Sequence, residues 1–396
     1  MAAHSVLSRR AQTLKPSATI AMDARAKALI AKGVDICNLT SGEPDFDTPL
    51  EARKGGLAAI EGGFTHYTAV AGIPELRAAI STKLRNDNGL EYEAAQIVVS
   101  TGAKQSIYNA FMVLLDPGDE VIIPTPSWVS YPEMVALAEG VPVFVDTRPD
   151  GYRLTAAALR AAITPRTKAI MLNSPSNPTG VVYSDEELRA LAAVAVEHDI
   201  RVISDEIYEK LVYGAEFVSI GSLGPEILAR TITINGFSKA YAMTGWRMGY
   251  AAAPREIAEA MTSLQSQVTS GASSISQRAA LAALVSDQAP LEDMRVQFDK
   301  RRRYMAERLS RLPGVELEFI PEGAFYMFPR VSQLYAKAGV TGSIDFAAHL
   351  LEVGKVAVVP GLPFGADENV RLSYASSLER ITEGMDRIER YVRSLA

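Results

Sequence analysis

The sequence predicts an α/β protein with two parts: a large domain, in which helices flank a mostly parallel sheet, and a smaller α+β domain. Two patterns support this prediction. Between about residues 95 and 255, short runs rich in β-branched residues alternate with helical patterns, which is typical of βαβ units. From about residue 286 the pattern changes to a long charged helix followed by short strand-like runs.

In the large domain, six short apolar runs are predicted strands: "QIVVS", "EVIIP", "KAIMLN", "IRVISDE", "TITING" and "MGYAAAP". The run "TGAKQSIYNAFMVLL" is predicted to turn into a helix, and Ser184 with Glu187 has the spacing of a capping box before another helix. Ligands of such sheets bind beyond the carboxyl ends of the strands. On this chain those ends are expected at Gly102, Asn173, Asp205 and Gly236.

The smaller domain is predicted to begin with the helix "LEDMRVQFDKRRRYMAERLSRL". The runs "VELEFI", "AFYMFP", "KVAVVP" and "NVRLSYA" are its predicted strands, and an amphipathic helix ends the chain. We expect three regions: an N-terminal segment, 1–45, that joins the small domain and a dimer contact; a large domain, 46–285; and the small domain, 286–396.

Composition excludes several classes of protein. Forty basic and 46 acidic residues among 396 give a net charge of −6, which argues against nucleic acid as the main partner. The single cysteine, Cys37, cannot form an internal disulfide and reads as a buried small side chain. No run of about 18 apolar residues and no signal-peptide core appears. We therefore expect a cytoplasmic protein without a membrane partner, and no metal site is predicted.

Four polar residues near the predicted strand ends suit one cofactor. Asp205 follows a buried strand, Tyr208 lies three residues later, Asn177 lies in the loop "NSPSNPTG" and Lys239 lies in "NGFSKAYAMTGWRMGY". Taken singly they read as a helix cap, a core tyrosine, a turn residue and a solvated lysine. Together they match pyridoxal phosphate, which needs an amine for its aldehyde, an acid at its ring nitrogen and donors to its phenolic oxygen.

The chain resembles the class I aminotransferases, which are fold type I pyridoxal enzymes, over nearly its whole length. The motifs "SGEPDF", "YTAVAGIPELR", "PSNPTG", "SDEIYE", "SKAYAMTGWRMGY" and "RLSYA" occur in the family's order and spacing. The resemblance implies a seven-stranded type of sheet. It also implies that Lys239 bonds to the cofactor aldehyde and then moves protons, and that Asp205 pairs with the ring nitrogen. Asn177 and Tyr208 are implied to bind the phenolic oxygen, and Arg247 the phosphate.

Further positions follow from the resemblance. Gly102, Ala103 and Lys104 begin a helix whose free amides suit a phosphate, and Ser238 is implied to bind the cofactor beside its lysine. Tyr67 resembles the tyrosine that reaches the phosphate from a neighbouring subunit, which implies a homodimer with shared active sites. Many relatives have a phosphate-binding serine three residues before the lysine, where this chain has Gly236.

The substrate side of the site is also implied. Trp128 resembles the aromatic residue that covers the cofactor ring, although a core or interface tryptophan is the alternative. Arg371 resembles the arginine that binds the substrate α-carboxylate in bidentate fashion, assisted by the backbone of Gly42. With the carboxylate held and Lys239 acting as the base, Cα–H cleavage and therefore transamination are favoured.

Within the family, the chain is similar to bacterial aspartate aminotransferases, some of which use prephenate. That likeness implies that Lys104 meets the distal carboxylate of the substrate, with Thr19 and Lys15 nearby; a solvated lysine is the alternative for Lys104. We expect a ping-pong reaction between aspartate or glutamate and 2-oxoglutarate or oxaloacetate, with prephenate as a further acceptor.

Other functions stay open on the sequence. One alternative is an aminotransferase for aromatic or other neutral amino acids, or a β-lyase on the same fold. A pyridoxal-dependent regulator would need a DNA-binding extension, and no helix-turn-helix pattern precedes "SGEPDF". A dinucleotide enzyme would need G-x-G-x-x-G after a strand, which the chain lacks.

Overall fold

The computed structural model describes residues 6–14 and 18–395. The strands of this part are β1 (Cys37–Asn38), β2 (Ile97–Thr101), β3 (Glu120–Thr125), β4 (Val141–Asp146), β5 (Thr167–Asn173), β6 (Arg201–Asp205), β7 (Thr231–Gly236), β8 (Met248–Ala252), β9 (Tyr326–Met327), β10 (Val356–Ala357), β11 (Val359–Pro360) and β12 (Val370–Ser373).

Its helices are α1 (Arg9–Thr13), α2 (Ala18–Ala31), α3 (Leu50–Glu61), α4 (Pro74–Asn88), α5 (Ala103–Leu114), α6 (Ser130–Leu137), α7 (Ala156–Ala162), α8 (Asp185–Glu197), α9 (Pro225–Leu228), α10 (Arg255–Val268), α11 (Ser274–Val285), α12 (Ala289–Ser310), α13 (Tyr335–Ala338), α14 (Ser343–His349) and α15 (Leu378–Ser394).

A seven-stranded sheet with the order β2-β8-β7-β6-β5-β3-β4 forms the centre of the molecule. Strand β8 runs antiparallel to both of its neighbours, and the other pairs are parallel. The predicted fold class, a mostly parallel sheet flanked by helices, is confirmed. In register, Asn173 lies opposite Asp205 and Gly236 lies opposite Gly249, so that these predicted strand ends meet at one edge.

Apolar side chains cover both faces of this sheet. On one face Val98, Ile232 and Ala251 pack with Phe111 of α5, and on the other Ile170 and Val202 pack with residues of α8. The predicted capping box of α8 is present: the Ser184 hydroxyl accepts from the amide of Glu187 at 3.2 Å, and the Glu187 carboxylate accepts from the amide of Ser184 at 2.8 Å. The helix therefore starts where the sequence indicates.

The C-terminal part holds a three-stranded antiparallel sheet with the order β11-β12-β9. Strand β1 of the N-terminal segment pairs in parallel with β10, which brings that segment against the C-terminal part. The domain boundaries at residues 45 and 285 stay predictions.

Two strand predictions differ from the structure. The run 315–320, "VELEFI", forms a single bridge between Glu316 and Arg330 and not a strand. Beyond that pair, the chain turns so that Phe319 packs on Tyr152, with ring centroids 5.9 Å apart. Strand β4 was not predicted; it is an edge strand whose residue Phe144 is exposed, which weakens its sequence pattern.

Candidate active site

A cavity of about 480 Å³ opens where β5, β6 and β7 end and α5 begins. This volume lies within the usual range for small-molecule sites. Most of the residues predicted from the sequence line it, namely Gly42, Ala103, Lys104, Trp128, Asn177, Asp205, Tyr208, Ser238, Lys239, Arg247 and Arg371.

Two predicted residues that the structure describes in full, Gly102 and Tyr67, are not part of that lining. Gly102 lies just behind it, because a Cβ atom there would meet Arg247 Nη2 at 2.7 Å. Tyr67 is 98% exposed on the single chain. Thr19 belongs to α2, and Lys15 lies outside the described residues. The roles predicted for Thr19, Lys15 and Tyr67 stay predictions.

Lys239 is a half-buried lysine whose side chain lines the cavity. It follows β7, and its Nζ donates a hydrogen bond to the carbonyl oxygen of Gly42. Burial, together with the positive charges of Arg371 and Arg247, lowers the pKa of Lys239 to about 8, against opposing effects of nearby acids. A lysine with this pKa has a sizeable neutral fraction at physiological pH, and the neutral amine is the nucleophilic and basic form.

Asp205 is a buried acid at the end of β6. Burial raises its pKa to about 6, while hydrogen bonds from Tyr131 and from the amide of Ile207 and the charge of Lys239 oppose this rise. Tyr131 donates to Oδ2 at 2.7 Å and the Ile207 amide to Oδ1 at 3.2 Å. Both carboxylate oxygens are thus held in place.

Asn177 and Tyr208 lie on neighbouring walls of the cavity. The backbone amide of Asn177 donates a hydrogen bond to Asn173 Oδ1 at 2.8 Å, which fixes the loop after β5. The hydroxyl of Tyr208 lies 2.9 Å from that of Tyr326, and Lys239 Nζ lies 5.9 Å from the centroid of the Tyr208 ring. Burial raises the pKa of Tyr208, so its phenol is a neutral hydrogen-bonding group.

Arg371 is a buried cation carried by β12. Its Nη1 donates to Asn177 Oδ1 at 2.9 Å, its Nη2 to the carbonyl oxygen of Thr40 at 3.1 Å, and its guanidinium carbon lies 4.2 Å from the Tyr326 ring centroid. Its Nε has no hydrogen-bond partner among the described residues. A buried guanidinium with unused donors is a site for a carboxylate.

The opposite end of the cavity is built for an anion. Gly102, with φ of 79°, caps the N-terminus of α5, and Arg247, with φ of 53°, lies against it. A Cβ atom at Gly249 would meet the backbone nitrogen of Ala103 at 2.1 Å, so this glycine lets β8 approach the helix start. At Gly236 a Cβ atom would meet Gly249 Cα at 2.8 Å, which explains why no serine is present there.

Lys104 and Trp128 lie together at the mouth of the cavity. The Nζ atom lies 4.6 Å from the Trp128 ring centroid and donates to the Ser130 hydroxyl at 3.3 Å. Burial, with the positive charge of Arg247, lowers the pKa of Lys104. Lys104 therefore lines the cavity while staying exposed on the single chain, and its role toward a substrate stays a prediction.

Sequence reasoning did not single out several residues of the cavity wall: Asp23, Lys27, Thr40, Glu43, Ser130, Tyr131, Thr244 and Tyr326. Glu43 accepts a hydrogen bond from the Thr244 hydroxyl at 2.8 Å, and its motif "SGEPDF" was recognised without a role for the acid. Tyr131 lies three residues after Trp128, a helical spacing that could have placed both on one face.

Comparison with known proteins identifies the class of protein to which this chain belongs. The family model for aminotransferase class I and II matches residues 34–388. The chain therefore belongs to the class I and II aminotransferase family and is an enzyme of that class. This match favours an aminotransferase over the dinucleotide-binding and regulator alternatives.

Individual relatives are similar over the full length. The chain is 49% identical to aspartate aminotransferase from Geobacillus stearothermophilus over 98% of this chain and 100% of that one. It is 48% identical to a probable aspartate/prephenate aminotransferase from Rhizobium leguminosarum bv. phaseoli, over 96% of each. The structure of aspartate aminotransferase from Thermus thermophilus with maleate matches with a TM-score of 0.93 and 46% identity, over 98% of this chain and 99% of that chain.

Among residues 6–14 and 18–395, no helix combines the length and the apolar character needed to cross a membrane.

Proposed function

We propose that this protein is a pyridoxal phosphate-dependent aminotransferase of the aspartate type. It moves the amino group between aspartate or glutamate and oxaloacetate or 2-oxoglutarate, and prephenate is a further acceptor. The observation that carries this proposal is the meeting of the half-buried Lys239 with the buried Asp205 and the buried Arg371 around one cavity.

The residues present fit the cofactor. The anion-binding end, where Gly102 lies against Arg247 at the start of α5, suits the phosphate. Asp205 is an acid buried at the cavity wall and suits a protonated ring nitrogen, while Lys239 suits the aldehyde. When bound, pyridoxal phosphate supplies an aldehyde that bonds to amines and a ring that accepts the electrons left when the substrate loses its Cα proton.

The chain's own groups perform the remaining work. Arg371 holds the substrate α-carboxylate through its fork of donors, which fixes the orientation of the Cα–H bond. Lys239, which is partly neutral because its pKa is lowered to about 8, would take that proton at Nζ and return it at a neighbouring carbon. Asn177 and Tyr208 would donate to the phenolic oxygen of the cofactor, and the Trp128 ring would cover the cofactor and exclude water.

Lys104 selects dicarboxylic substrates in this proposal. Its ammonium group lies at the cavity mouth against Trp128, and a substrate carboxylate there gains a charge partner. The matching structure from Thermus thermophilus was solved with maleate, a four-carbon dicarboxylate. The names of the relatives also favour aspartate over the neutral amino acids of the alternative.

The assembly proposed is a homodimer with shared active sites in the cytoplasm. Tyr67 is 98% exposed on one chain. An exposed tyrosine ring within a recognised motif fits a contact with a second subunit, whose phosphate site it would reach. The net charge of −6 argues against nucleic acid as a partner.

Lys239→Ala tests the proposal directly. We expect the variant to lose the visible absorbance of the covalently bound cofactor and nearly all turnover of aspartate with 2-oxoglutarate. Lys210→Ala, which removes a lysine paired with Asp87 away from the cavity, is the matched control. Normal turnover by the Lys239 variant would overturn the mechanism.

A further inference from the structure

One buried contact at the site has no part in the function described so far. Tyr131, from the first turn of α6, donates its hydroxyl to Asp205 Oδ2 at 2.7 Å. Tyr131 is 2% exposed and Asp205 is 4% exposed, so water does not compete for this hydrogen bond. A hydrogen bond to a buried carboxylate stabilises its ionised form and also fixes the rotation of the carboxylate.

The surroundings keep the tyrosine in position. Its ring packs edge-on against Trp128, with centroids 5.3 Å apart, and its backbone amide donates to the carbonyl oxygen of Trp128 at 3.1 Å. The second carboxylate oxygen of Asp205 accepts from the Ile207 amide at 3.2 Å. Asp205 therefore has one side-chain donor and one backbone donor, and only the side-chain donor can be removed by a conservative substitution.

We propose that Tyr131 is a positioning residue that keeps Asp205 ionised and oriented toward the ring nitrogen of the cofactor. This inference rests on the proposed function, since it deepens the role of Asp205. Tyr131 acts through Asp205 and touches neither the reacting carbon nor the substrate in this account.

The groups around Asp205 determine in which direction its pKa moves when the Tyr131 hydroxyl is removed. Asp205 faces Tyr131 from α6 and Lys239 from the segment after β7, and Tyr131 faces Asp205 and Tyr208. Burial raises the pKa of Asp205 and the Tyr131 hydrogen bond opposes that rise. Without the hydroxyl, one of the interactions that lower the Asp205 pKa is missing, so that pKa rises further. Asp205 is then protonated at a higher pH than in the unmodified protein.

Tyr131→Phe is the test, because it removes the hydroxyl and keeps the ring. The readout is the affinity of the cofactor-free protein for two aldehydes, measured by quenching of tryptophan fluorescence, since Trp128 lines the cavity and the chain has two tryptophans. One aldehyde is pyridoxal phosphate. The other is its 1-deaza analogue, in which carbon replaces the ring nitrogen and no partner for Asp205 remains.

We expect Tyr131→Phe to weaken pyridoxal phosphate binding about tenfold at pH 7, which is the size of one hydrogen bond to a charged group. The affinity for the deaza analogue should change by less than about twofold. The pH below which pyridoxal phosphate binding is lost should rise by about one unit. Tyr183→Phe is the control, because it removes another buried hydroxyl, which contacts the Leu154 amide away from the cavity.

Equal weakening toward both aldehydes, or none toward either, would overturn the role of Tyr131. Circular dichroism of the variant separates misfolding from a local effect. Asp205→Asn tests the underlying function, since it should remove the preference for the nitrogen-containing aldehyde. If the unmodified protein bound both aldehydes equally, the proposed function would fail, and the role of Tyr131 with it.

Discussion

Arg371 Nη1 donates a hydrogen bond to Asn177 Oδ1 at 2.9 Å, which joins the C-terminal strand β12 to the loop that follows β5 of the large sheet. The two residues lie 194 positions apart in the chain. In the proposed function, one binds the substrate carboxylate and the other the phenolic oxygen of the cofactor. The contact therefore fixes the distance between the substrate end and the cofactor end of the site before either is bound.

Arg371→Lys should impair every amino donor alike. The lysine keeps the charge but loses the planar fork and its contact with Asn177, so kcat/KM should fall about a hundredfold for aspartate and for alanine. Steady-state kinetics with both donors measure this. Arg303→Lys, at an exposed arginine of α12, is the matched control. A loss confined to aspartate would mean that Arg371 does not bind the α-carboxylate.

Lys104→Ser should separate dicarboxylic from neutral substrates. Loss of the cation should raise KM for aspartate and 2-oxoglutarate about tenfold or more, because a charge-assisted hydrogen bond is lost. The KM for alanine should change little. Lys168→Ser removes an exposed lysine of β5 and controls for net charge. If both kinds of substrate suffered equally, Lys104 would be structural.

The reaction of the cofactor-free protein with pyridoxal phosphate should follow the titration of Lys239. The neutral amine attacks aldehydes, and its pKa is lowered to about 8 from the ordinary 10.5. The rate should therefore rise with pH and level off above about pH 8. Stopped-flow absorbance between pH 6 and 10 in steps of about half a unit measures it. A rate still rising steeply at pH 10 would contradict the depressed pKa.

Glu206 should make the folded state pH-sensitive. Its carboxyl accepts from the hydroxyls of Ser204 and Ser219, Oε2 has no partner among the described residues, and burial raises its pKa to about 8. A raised folded pKa means that stability is complete below the unfolded pKa, near 4.5, and is lost as pH rises toward 8.

Glu206→Gln removes the charge and keeps an acceptor for both serines. Relative to the unmodified protein, its stability should increase between about pH 5 and pH 8, by up to about 3 kcal/mol. Thermal unfolding of the cofactor-free proteins at both pH values measures this. The exposed Glu256→Gln is the control. A stability difference that stayed constant with pH would contradict the raised pKa.

The sheet and its helices could be predicted because runs of β-branched residues and the capping box at Ser184 involve residues that are close together in the sequence. The sequence also predicted eleven of the residues that line the cavity, because most of these lie in recognised motifs. Tyr131 was missed, since its contact with Asp205 spans 74 positions and only the folded sheet brings α6 to the end of β6. The run 315–320 was predicted wrongly because its alternating pattern is also compatible with a chain that makes one bridge and then turns.

Single-turnover spectroscopy of the cofactor-loaded protein tests the aspartate-type function most directly. Aspartate, glutamate, alanine and phenylalanine are added in turn, and then oxaloacetate, 2-oxoglutarate and prephenate to the aminated enzyme. We predict rapid loss of the visible band with the two dicarboxylic donors and its return with the dicarboxylic oxo acids, prephenate among them. Faster reaction with alanine or phenylalanine would contradict the account and favour an aminotransferase for neutral amino acids.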